Sequence, residues 1–465
     1  MRVESAAGKE GELSEMVVAS EQQTNENIRK HVDVGDSIIP QDSVPKSKTE
    51  PADSRQDSDA PKGPAGSDQD VSTSRLLLLN LLTLTTIISF LWSGLTINLI
   101  QLINYLTVRH INFSLFTKIN YCLMYSAWSQ VIALFDWFFC TKLKVYHARK
   151  EQEDEIFEEH SIFLGNHGYE LDWIGAWLVT DKYGQAAACK AMLKSDLKYL
   201  PVVGWSWAMS DQLFLDRNWE KDKHKFAGSM DQMLRYEPMV VTFFCEGTRF
   251  TKEKVEASQK FALERGMVAP KYHLIPRTKG FVAVMRHIKQ RKRENPNLKI
   301  WLYNAEIAYE QSGAMNIGDI IRRGLSPVGH VYFERISIDS VPDDDKACAK
   351  WLQDLYLSKD KLQEHFNQYK CFPGHLDKRF VDYKPRLASL FNWTIWTLYT
   401  SIPLVYLIAR LYIHYGTFLV SLVMSIFFLL SYVYLSYIIH QADVSEAEKK
   451  TITSSCTKTA KRAAT

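Results

Sequence analysis

Long apolar runs near both ends of the chain constrain its fold more than any other feature. Residues 76–106 are apolar over more than the roughly 20 residues that a helix needs to cross a bilayer, although Asn and Gln side chains interrupt the run. A second run follows at 119–139, and another pair occupies 390–408 and 418–438. Buried core helices are the alternative, but runs of this length exceed what globular cores usually contain. The sequence therefore predicts an N-terminal and a C-terminal pair of membrane helices.

Basic residues stand at the outer ends of both pairs, for example Lys142 and Lys144 after the first and Lys384 and Arg386 before the second. Because positively charged residues are enriched on the cytoplasmic side, both tails and the central region are predicted to face the cytosol. Hydropathy does not separate a first pair that spans as a hairpin from one that dips in and returns. Nothing at the extreme N-terminus resembles a cleavable signal peptide, so the first run is expected to direct membrane insertion.

The chain is predicted to divide into five segments. The first is rich in Ser, Asp, Glu, Lys, Gln and Pro and buries too little apolar surface to fold. The net charge of +3 is small for 465 residues and gives no support to a nucleic-acid partner. The segments are a disordered polar tail at 1–74, a membrane helix pair at 75–140, a central domain at 141–385, a second membrane pair at 386–440 and a cytosolic tail at 441–465.

The seven cysteines are scattered, with no Cys-x-x-Cys pair and no zinc-ligand spacing. A reduced, cytosolic central domain is the simplest interpretation. A zinc hydrolase using His167, His273 or His287 would need a ligand pattern such as His-Glu-x-x-His, which the sequence lacks.

Short β-rich runs alternate with helical stretches between about residues 145 and 375. Strands are predicted at 161–164, 239–244, 298–303 and 330–334, and helical periodicity runs through 219–236. The pattern predicts a single α/β domain.

His167 and Asp172 stand in the run Asn-His-Gly-Tyr-Glu-Leu-Asp at 166–172, after a predicted strand and before an apolar helical stretch. Five residues apart, they would not share a face of one regular helix. If His167 lies in the preceding loop and Asp172 in the first helical turn, the carboxylate reaches the imidazole. A carboxylate so placed fixes the tautomer and stabilises the imidazolium of a catalytic histidine.

A second polar segment follows the strand predicted at 239–244. Its Cys-Glu-Gly-Thr-Arg-Phe run at 245–250 lies at a strand end, where sites of open α/β sheets gather. Arg249 offers a planar fork suited to phosphate, although pairing with Glu246 or another acid is the structural alternative. Arg217, Arg277 and Lys279 occur in two other segments, and together they suggest an anionic head group at a bilayer surface.

Four segments in one order resemble the glycerolipid acyltransferases related to bacterial 1-acylglycerol-3-phosphate acyltransferase. They are 166–172, 204–217, 244–251 and 274–281. The residues of the last two segments are most similar to those of the eukaryotic endoplasmic-reticulum lysophosphatidic acid acyltransferases. Gly168 and Tyr169 depart from the pattern expected in the first segment. The resemblance implies an α/β domain of the glycerolipid-acyltransferase type, with a mixed sheet flanked by helices.

The resemblance also implies residue roles and a reaction. His167 would deprotonate the sn-2 hydroxyl of 1-acylglycerol-3-phosphate, with Asp172 orienting the imidazole, and the hydroxyl would attack the thioester of acyl-CoA to give phosphatidic acid for phospholipid and triacylglycerol synthesis. No bound cofactor or metal is implied. A multi-pass protein of the endoplasmic-reticulum membrane is expected, with its catalytic domain facing the cytosol. The residues implied to contact the lysophospholipid are Lys194, Arg217, Glu246, Gly247, Thr248, Arg249 and Pro276.

Three alternatives stay open at this point. Cys245 could act as a nucleophile with His167 as its base, forming an acyl-enzyme thioester. The acceptor could be another lysophospholipid, since the sequence pattern does not show which head group or which acyl chain is preferred. The chain could also be a non-catalytic lipid-binding membrane protein, although binding alone does not require a base paired with a carboxylate.

Overall fold

The computed structural model describes residues 72–149, 156–310, 316–374 and 380–419, with residues 421, 422, 425 and 426. The polar tail predicted at 1–74 and the cytosolic tail at 441–465 therefore lie almost entirely outside the described residues. An eight-stranded sheet organises the central region. Its strands are β1 Lys142–His147, β2 His160–Gly165, β3 Cys189–Lys194, β4 Leu213–Leu215, β5 Val240–Phe243, β6 Ile300–Tyr309, β7 Val328–Ser337 and β8 Val381–Asp382.

The strand order is β4-β3-β5-β2-β6-β7-β1-β8. The first four strands in this order are parallel to one another, β6 is parallel to β2, and β1 is parallel to β7. Antiparallel pairing joins β6 to β7 and β1 to β8. The mixed sheet implied by the resemblance is confirmed.

Twelve described helices surround the sheet. They are α1 Thr73–Leu106, α2 Val108–Ile111, α3 Phe113–Ala133, α4 Asp172–Lys182, α5 Val203–Ala208, α6 Trp219–Asp222, α7 Lys225–Leu234, α8 Lys252–Glu264, α9 Thr278–Glu294, α10 Ile317–Arg323, α11 Asp345–Tyr369 and α12 Leu387–Leu419. A π-helical turn at Leu134–Phe138 and 3-10 turns at Ser195–Tyr199 and Ile338–Ser340 complete the elements.

The two faces of the sheet carry different helices. Successive side chains of a strand point to opposite faces, and in β2 Phe163 joins one core while Ile162 and Leu164 join the other. The Phe163 core contains side chains from α1, α3 and α4. The opposite core contains side chains from α7, α9 and α11. Helices α3 and α11 therefore lie on opposite sides of the sheet.

Helix α1 is apolar outside and polar inside. Its exposed positions are dominated by leucine and isoleucine, whereas Ser93, Gln101 and other polar side chains are buried. Gln101 donates to Asn120 of α3 at 2.9 Å, and Ser93 accepts from Gln130 of the same helix at 2.9 Å. Polar contacts between helices with apolar exteriors are typical of proteins whose surroundings are lipid.

Two helical stretches among the described residues are long and apolar enough to cross a membrane: Thr73–Ile111, which contains α1 and α2, and Leu387–Leu419, which is α12. The prediction of two helix pairs is thus supported in part. The run at 119–139 forms most of α3 and the following π-helical turn, and it does not meet the same test. The run at 418–438 lies largely outside the described residues.

Helix α3 packs against the central domain near both of its ends. Phe113 at its start meets Tyr236, with ring centroids 5.6 Å apart, and Trp128 stacks on Trp177 of α4 at 4.6 Å. In the connection before α3, Arg109 makes a bidentate ion pair with Asp211 of the domain at 2.8 and 2.9 Å. The turn between α1 and α3 therefore lies against the domain.

The strand predictions are confirmed, although β6 and β7 extend well beyond the predicted limits. The helix predicted at 219–236 is instead two helices, α6 and α7. The buried carboxylate of Asp222 ends α6 and accepts from the backbone N–H groups of Asp216 and Asn218 at 3.0 and 3.2 Å. These hydrogen bonds hold Asp222 against the preceding loop, and the predicted continuous helix is interrupted there.

Candidate active site

The candidate site lies at one edge of the sheet, beyond the ends of four parallel strands. Strands β2, β3, β4 and β5 are neighbours in parallel pairs, so their carboxyl ends meet at the same edge. Lys194 is the last residue of β3, and the segments that carry His167, Arg217 and Glu246 directly follow β2, β4 and β5. Ligands of open α/β sheets bind in the same position.

His167 lies in the loop after β2, and Asp172 is the first residue of α4. The Nδ1 atom of His167 is 3.0 Å from Oδ2 of Asp172, which also accepts from the backbone N–H of Tyr169 at 2.9 Å. Asp172 is buried, whereas the side chain of His167 is 26% exposed and lines a cleft. The contact predicted from the loop-to-helix position is therefore present, and it leaves the other ring nitrogen available to a ligand.

The backbone around His167 is fixed by two buried polar side chains. The amide of Asn166 donates to the carbonyl of Ile307 at 2.9 Å and accepts from its N–H at 2.8 Å, which ties the loop to β6. The carboxylate of Glu246 accepts from the N–H groups of His167 at 3.0 Å and Leu274 at 3.3 Å. Glu246 thus holds three of the motif-bearing segments together. Its predicted contact with substrate stays a prediction.

The cleft in front of His167 has a volume of about 740 Å³, which is within the range of ligand sites. Several cationic side chains line it, and some were not among the residues expected to bind the lysophospholipid. Burial, with the nearby guanidinium groups of Arg249, Arg217 and Arg277, lowers the pKa of Lys254 from its ordinary value. The three guanidinium groups create a positive potential at Lys254 that an anionic ligand would relieve. The cationic residues that line the cleft are Lys194, Arg217, Lys254, Arg277 and Lys279.

Arg217 follows β4 in a conformation that non-glycine residues rarely adopt, with φ of +60°. Asp222 accepts backbone hydrogen bonds from the residues on either side of Arg217, which holds this turn in place. Strained residues that the surrounding structure holds in place cluster at functional sites. Among the described residues, no carboxylate forms an ion pair with Arg217, so its guanidinium is available to a phosphate.

Both the backbone conformation at position 247 and the nearby side chain of Arg277 favour glycine there. Its φ is +69°, and a Cβ atom there would lie 2.9 Å from Cδ of Arg277. The next residue, Thr248, accepts at Oγ1 from the ammonium of Lys254 at 2.5 Å. Pro276 is buried at the wall of the cleft, and Lys194 at the end of β3 pairs with Asp196. Lys194, Arg217, Glu246, Gly247, Thr248 and Pro276 all line the cleft.

Arg249 is the one predicted substrate-binding residue that does not line this cleft. Its Nη1 atom is 3.0 Å from Oε1 of Glu170, and its side chain is 46% exposed. The pairing with an acid that the sequence left open is therefore present, and the acid is Glu170. This ion pair ties the 245–250 segment to the 166–172 segment outside the cleft.

An apolar cavity of about 70 Å³ lies behind Asp172, on the α4 side of the sheet. Phe244 lines both this cavity and the cleft, and its ring stacks on the imidazole of His167 with centroids 4.7 Å apart. The ring of Phe244 thus lies between the imidazole and a space lined chiefly by apolar side chains.

Cys245 is buried in the core that contains α9 and α11. Burial raises the pKa of its thiol well above the ordinary value, so the thiolate that a nucleophile requires is disfavoured. Among the described residues, no group of His, Cys, Asp and Glu side chains is arranged to hold a metal ion. His287 pairs with Asp231 at 2.7 Å, and His273 lies between two carboxylates.

A network of buried charged side chains around His273 adjoins Glu246 of the site. His273 is 2.9 Å from Oε1 of Glu306 at one ring nitrogen and 3.1 Å from Oδ1 of Asp360 at the other. The ammonium of Lys359 is 3.4 Å from Glu306. Burial opposes the charge on His273, but the carboxylates of Glu306 and Asp360 outweigh it and raise the pKa of His273 to about 10. Burial raises the pKa of Glu246, and the charged His273 counteracts this shift.

The raised pKa of His273 predicts an alkaline loss of stability. The charge on His273 stabilises the folded state fully below the ordinary pKa of 6.5, and this contribution is lost as the pH rises through about 10. One proton corresponds to a slope of about 1.4 kcal/mol per pH unit. We expect the melting temperature of the detergent-solubilised protein to fall across this window and His273→Gln to flatten the decline. Equal declines in the two proteins would show that another group is responsible.

Comparison with known proteins adds a separate line of evidence. Residues 142–293 match the family model described as acyltransferase, and residues 320–396 match that described as acyltransferase C-terminus. The chain is 34% identical to 1-acyl-sn-glycerol-3-phosphate acyltransferase 3 of Arabidopsis thaliana over 284 residues, which are 60% of this chain and 73% of that protein. It is 30% identical over 318 residues to the gamma enzyme of Homo sapiens and 31% identical over 315 residues to the delta enzyme. Each of these two matches covers 68% of this chain and 80% of the human protein.

Proposed function

The chain belongs to the family of 1-acyl-sn-glycerol-3-phosphate acyltransferases, and we propose that it transfers a fatty acyl group from acyl-CoA to the sn-2 hydroxyl of 1-acylglycerol-3-phosphate. The product is phosphatidic acid, a precursor of phospholipids and triacylglycerol. The observation that carries the proposal is the position of His167, held at Nδ1 by a buried carboxylate and facing a cleft lined by cations.

His167 acts as a general base in this reaction. With the proton on Nδ1 directed to Asp172, Nε2 is unprotonated and accepts the proton of the 2-hydroxyl. The hydroxyl oxygen attacks the thioester carbonyl, the carbon–sulfur bond breaks, and the imidazolium returns its proton to the departing thiolate. The thiolate of coenzyme A is a good leaving group, so the reaction requires neither an acylated cysteine nor a bound cofactor.

The cationic side chains of the cleft bind the phosphate. Arg217 and Arg277 line the cleft from separate segments of the chain, and Lys254 adds a third cation beside Thr248. Charged donors form the strongest hydrogen bonds to phosphate oxygens. Glu246 acts on the backbone of His167 and Leu274, so we assign it a positioning role in the site.

The reaction takes place at a bilayer surface. Helix α1 presents an apolar exterior, and its turn toward α3 lies against the domain through Arg109 and Asp211. This arrangement supports a domain that lies on one leaflet, and the basic residues beside the apolar runs favour the cytosolic side. On the resemblance to the eukaryotic subgroup, the membrane is that of the endoplasmic reticulum.

A panel of acceptors tests the proposed substrate. The purified full-length chain is assayed with oleoyl-CoA and with lysophosphatidic acid, lysophosphatidylcholine or lysophosphatidylserine in mixed micelles. Because the cleft offers several cations to an exposed phosphomonoester, we expect the highest kcat/KM with lysophosphatidic acid. A higher value with another lysophospholipid would reassign the head group. Absence of transfer to every acceptor would favour a non-catalytic lipid-binding protein.

A further inference from the structure

A second apolar surface lies beside the cleft, in the segment Ser195–Trp205. This segment follows β3 as a 3-10 turn and runs into α5. Its exposed large side chains are Leu197, Tyr199, Leu200 and Trp205. Contiguous exposed apolar side chains mark surfaces that bind a partner or a membrane.

The apolar surface of this segment continues that of α1. Gly94 of α1 lies so close to Val202 that a Cβ atom on Gly94 would be 2.3 Å from its Cγ1. On either side of Gly94, Trp92 and Leu95 are exposed. The close contact of Gly94 with Val202 therefore brings the apolar exterior of α1 next to Ser195–Trp205.

The composition of the segment fits the interface between lipid tails and water. Tyrosine and tryptophan are enriched at that level of a bilayer, and lysine side chains reach from it toward anionic head groups. The ammonium of Lys198 lies 4.9 Å from the ring centre of Tyr199. Lys194, immediately before the segment, is exposed and lines the cleft. The segment thus combines interfacial aromatic residues with one lysine and adjoins the mouth of the cleft, and its exposed acid, Asp196, pairs with Lys194.

We propose that Ser195–Trp205 inserts into the head-group region of the leaflet on which α1 lies, so that the cleft opens at the level of the lipid phosphates. The occupant of this surface is a phospholipid bilayer, and the segment is a membrane contact additional to α1 and α12. A lysophospholipid would then reach Lys194 and the cleft laterally, without leaving the leaflet.

Photochemical cross-linking tests the insertion without reference to catalysis. Tyr199, which is 72% exposed, is replaced by p-benzoylphenylalanine in the full-length chain, which is reconstituted in phosphatidylcholine and phosphatidylserine nanodiscs. Tyr369 is the matched control, because it is a tyrosine, 54% exposed, at the end of α11 on the opposite side of the sheet from α3. We expect roughly tenfold more lipid adducts at position 199 than at position 369, because only position 199 would lie at the level of the lipid–water interface.

Two outcomes of the cross-linking would overturn the proposal. Equal lipid labelling at both positions would show that Tyr199 does not enter the bilayer. Predominant cross-links from position 199 to a second copy of the chain would identify the segment as a protein interface instead.

Kinetics supply a second test, which rests on the proposed function. Tyr199→Asp should lower turnover of long-chain lysophosphatidic acid in vesicles severalfold and leave turnover of a short-chain, monomerically dissolved acceptor unchanged. Tyr369→Asp should change neither rate. An equal loss with both acceptors would place the effect in the cleft and contradict the insertion. Because the cross-linking needs no turnover, an inactive protein would refute the proposed function and leave the insertion testable.

Discussion

His167→Ala is expected to reduce acyl transfer by about 10² to 10⁴-fold, the contribution that a positioned general base makes to a rate. The imidazole is the only described side chain that both lines the cleft and is held by the buried carboxylate of Asp172. Because the side chain of His167 is partly exposed, its removal leaves no closed cavity in the core. The measurement is kcat for transfer from acyl-CoA to lysophosphatidic acid, with membrane insertion of the variant checked by carbonate extraction.

Two further variants separate the general base from its alternatives. Asp172→Asn should also lose about 10² to 10⁴-fold, because an amide that donates to Nδ1 stabilises the wrong tautomer of the imidazole. Cys245→Ser should retain transfer to within a few fold, since the buried thiol packs in the core. Unchanged turnover in His167→Ala would remove the proposed mechanism. A trapped acyl-Cys245 thioester would replace it with covalent catalysis.

The sequence predicts those parts of the fold that arise from local periodicity. The strands at β2 and β5 follow from short apolar runs, and the His167–Asp172 contact follows from a loop beside a helix start. The edge at which the polar segments meet also follows, since parallel strands end together. In each case neighbouring residues along the chain determine the feature.

Other parts of the site depend on contacts between distant segments. The pairing of Arg249 with Glu170 joins residues 79 positions apart, and the sequence offered several acids as partners. Lys254 enters the cleft from a helix whose surface is largely exposed, so no apolar pattern distinguishes it from its neighbours. The role of Glu246 likewise depends on backbone N–H groups that only the folded chain brings to it. The sequence identifies Arg277 and Lys279 as basic residues that could bind an anion, but their position in the cleft depends on the fold.

The placement of α3 could not be predicted from hydropathy for a similar reason. An apolar run long enough to cross a membrane has the same hydropathy whether its side chains contact lipid or protein. In the folded chain, Trp128 of α3 is buried and stacks on Trp177 of α4. The aromatic contact with the domain, together with the Arg109–Asp211 ion pair, determines the location of this helix.

Replacement of the cleft arginines should give the second-largest loss, and replacement of Arg249 should have a smaller effect. Arg217 and Arg277 line the cleft, whereas Arg249 is held outside it by Glu170. A hydrogen bond to a charged group is worth about 1.5–3 kcal/mol, so Arg217→Ala and Arg277→Ala should each lower kcat/KM for lysophosphatidic acid by about tenfold to a hundredfold. Arg249→Ala should cost less than either, because exposed ion pairs contribute little.

The acceptor decides whether these losses belong to phosphate binding. With monoacylglycerol, which has no phosphate, Arg217→Ala and Arg277→Ala should have the low rate of the unaltered protein and no additional loss. The deficit with lysophosphatidic acid should also shrink at high salt, since screening weakens the interaction of the phosphate with the arginine that only the unaltered protein has. Equal losses with both acceptors would indicate damage to the fold of the cleft, and a larger loss in Arg249→Ala would mean that the Glu170 pair opens when substrate binds. The Arg249 result therefore distinguishes a cleft that is already formed around the phosphate from one that substrate must complete.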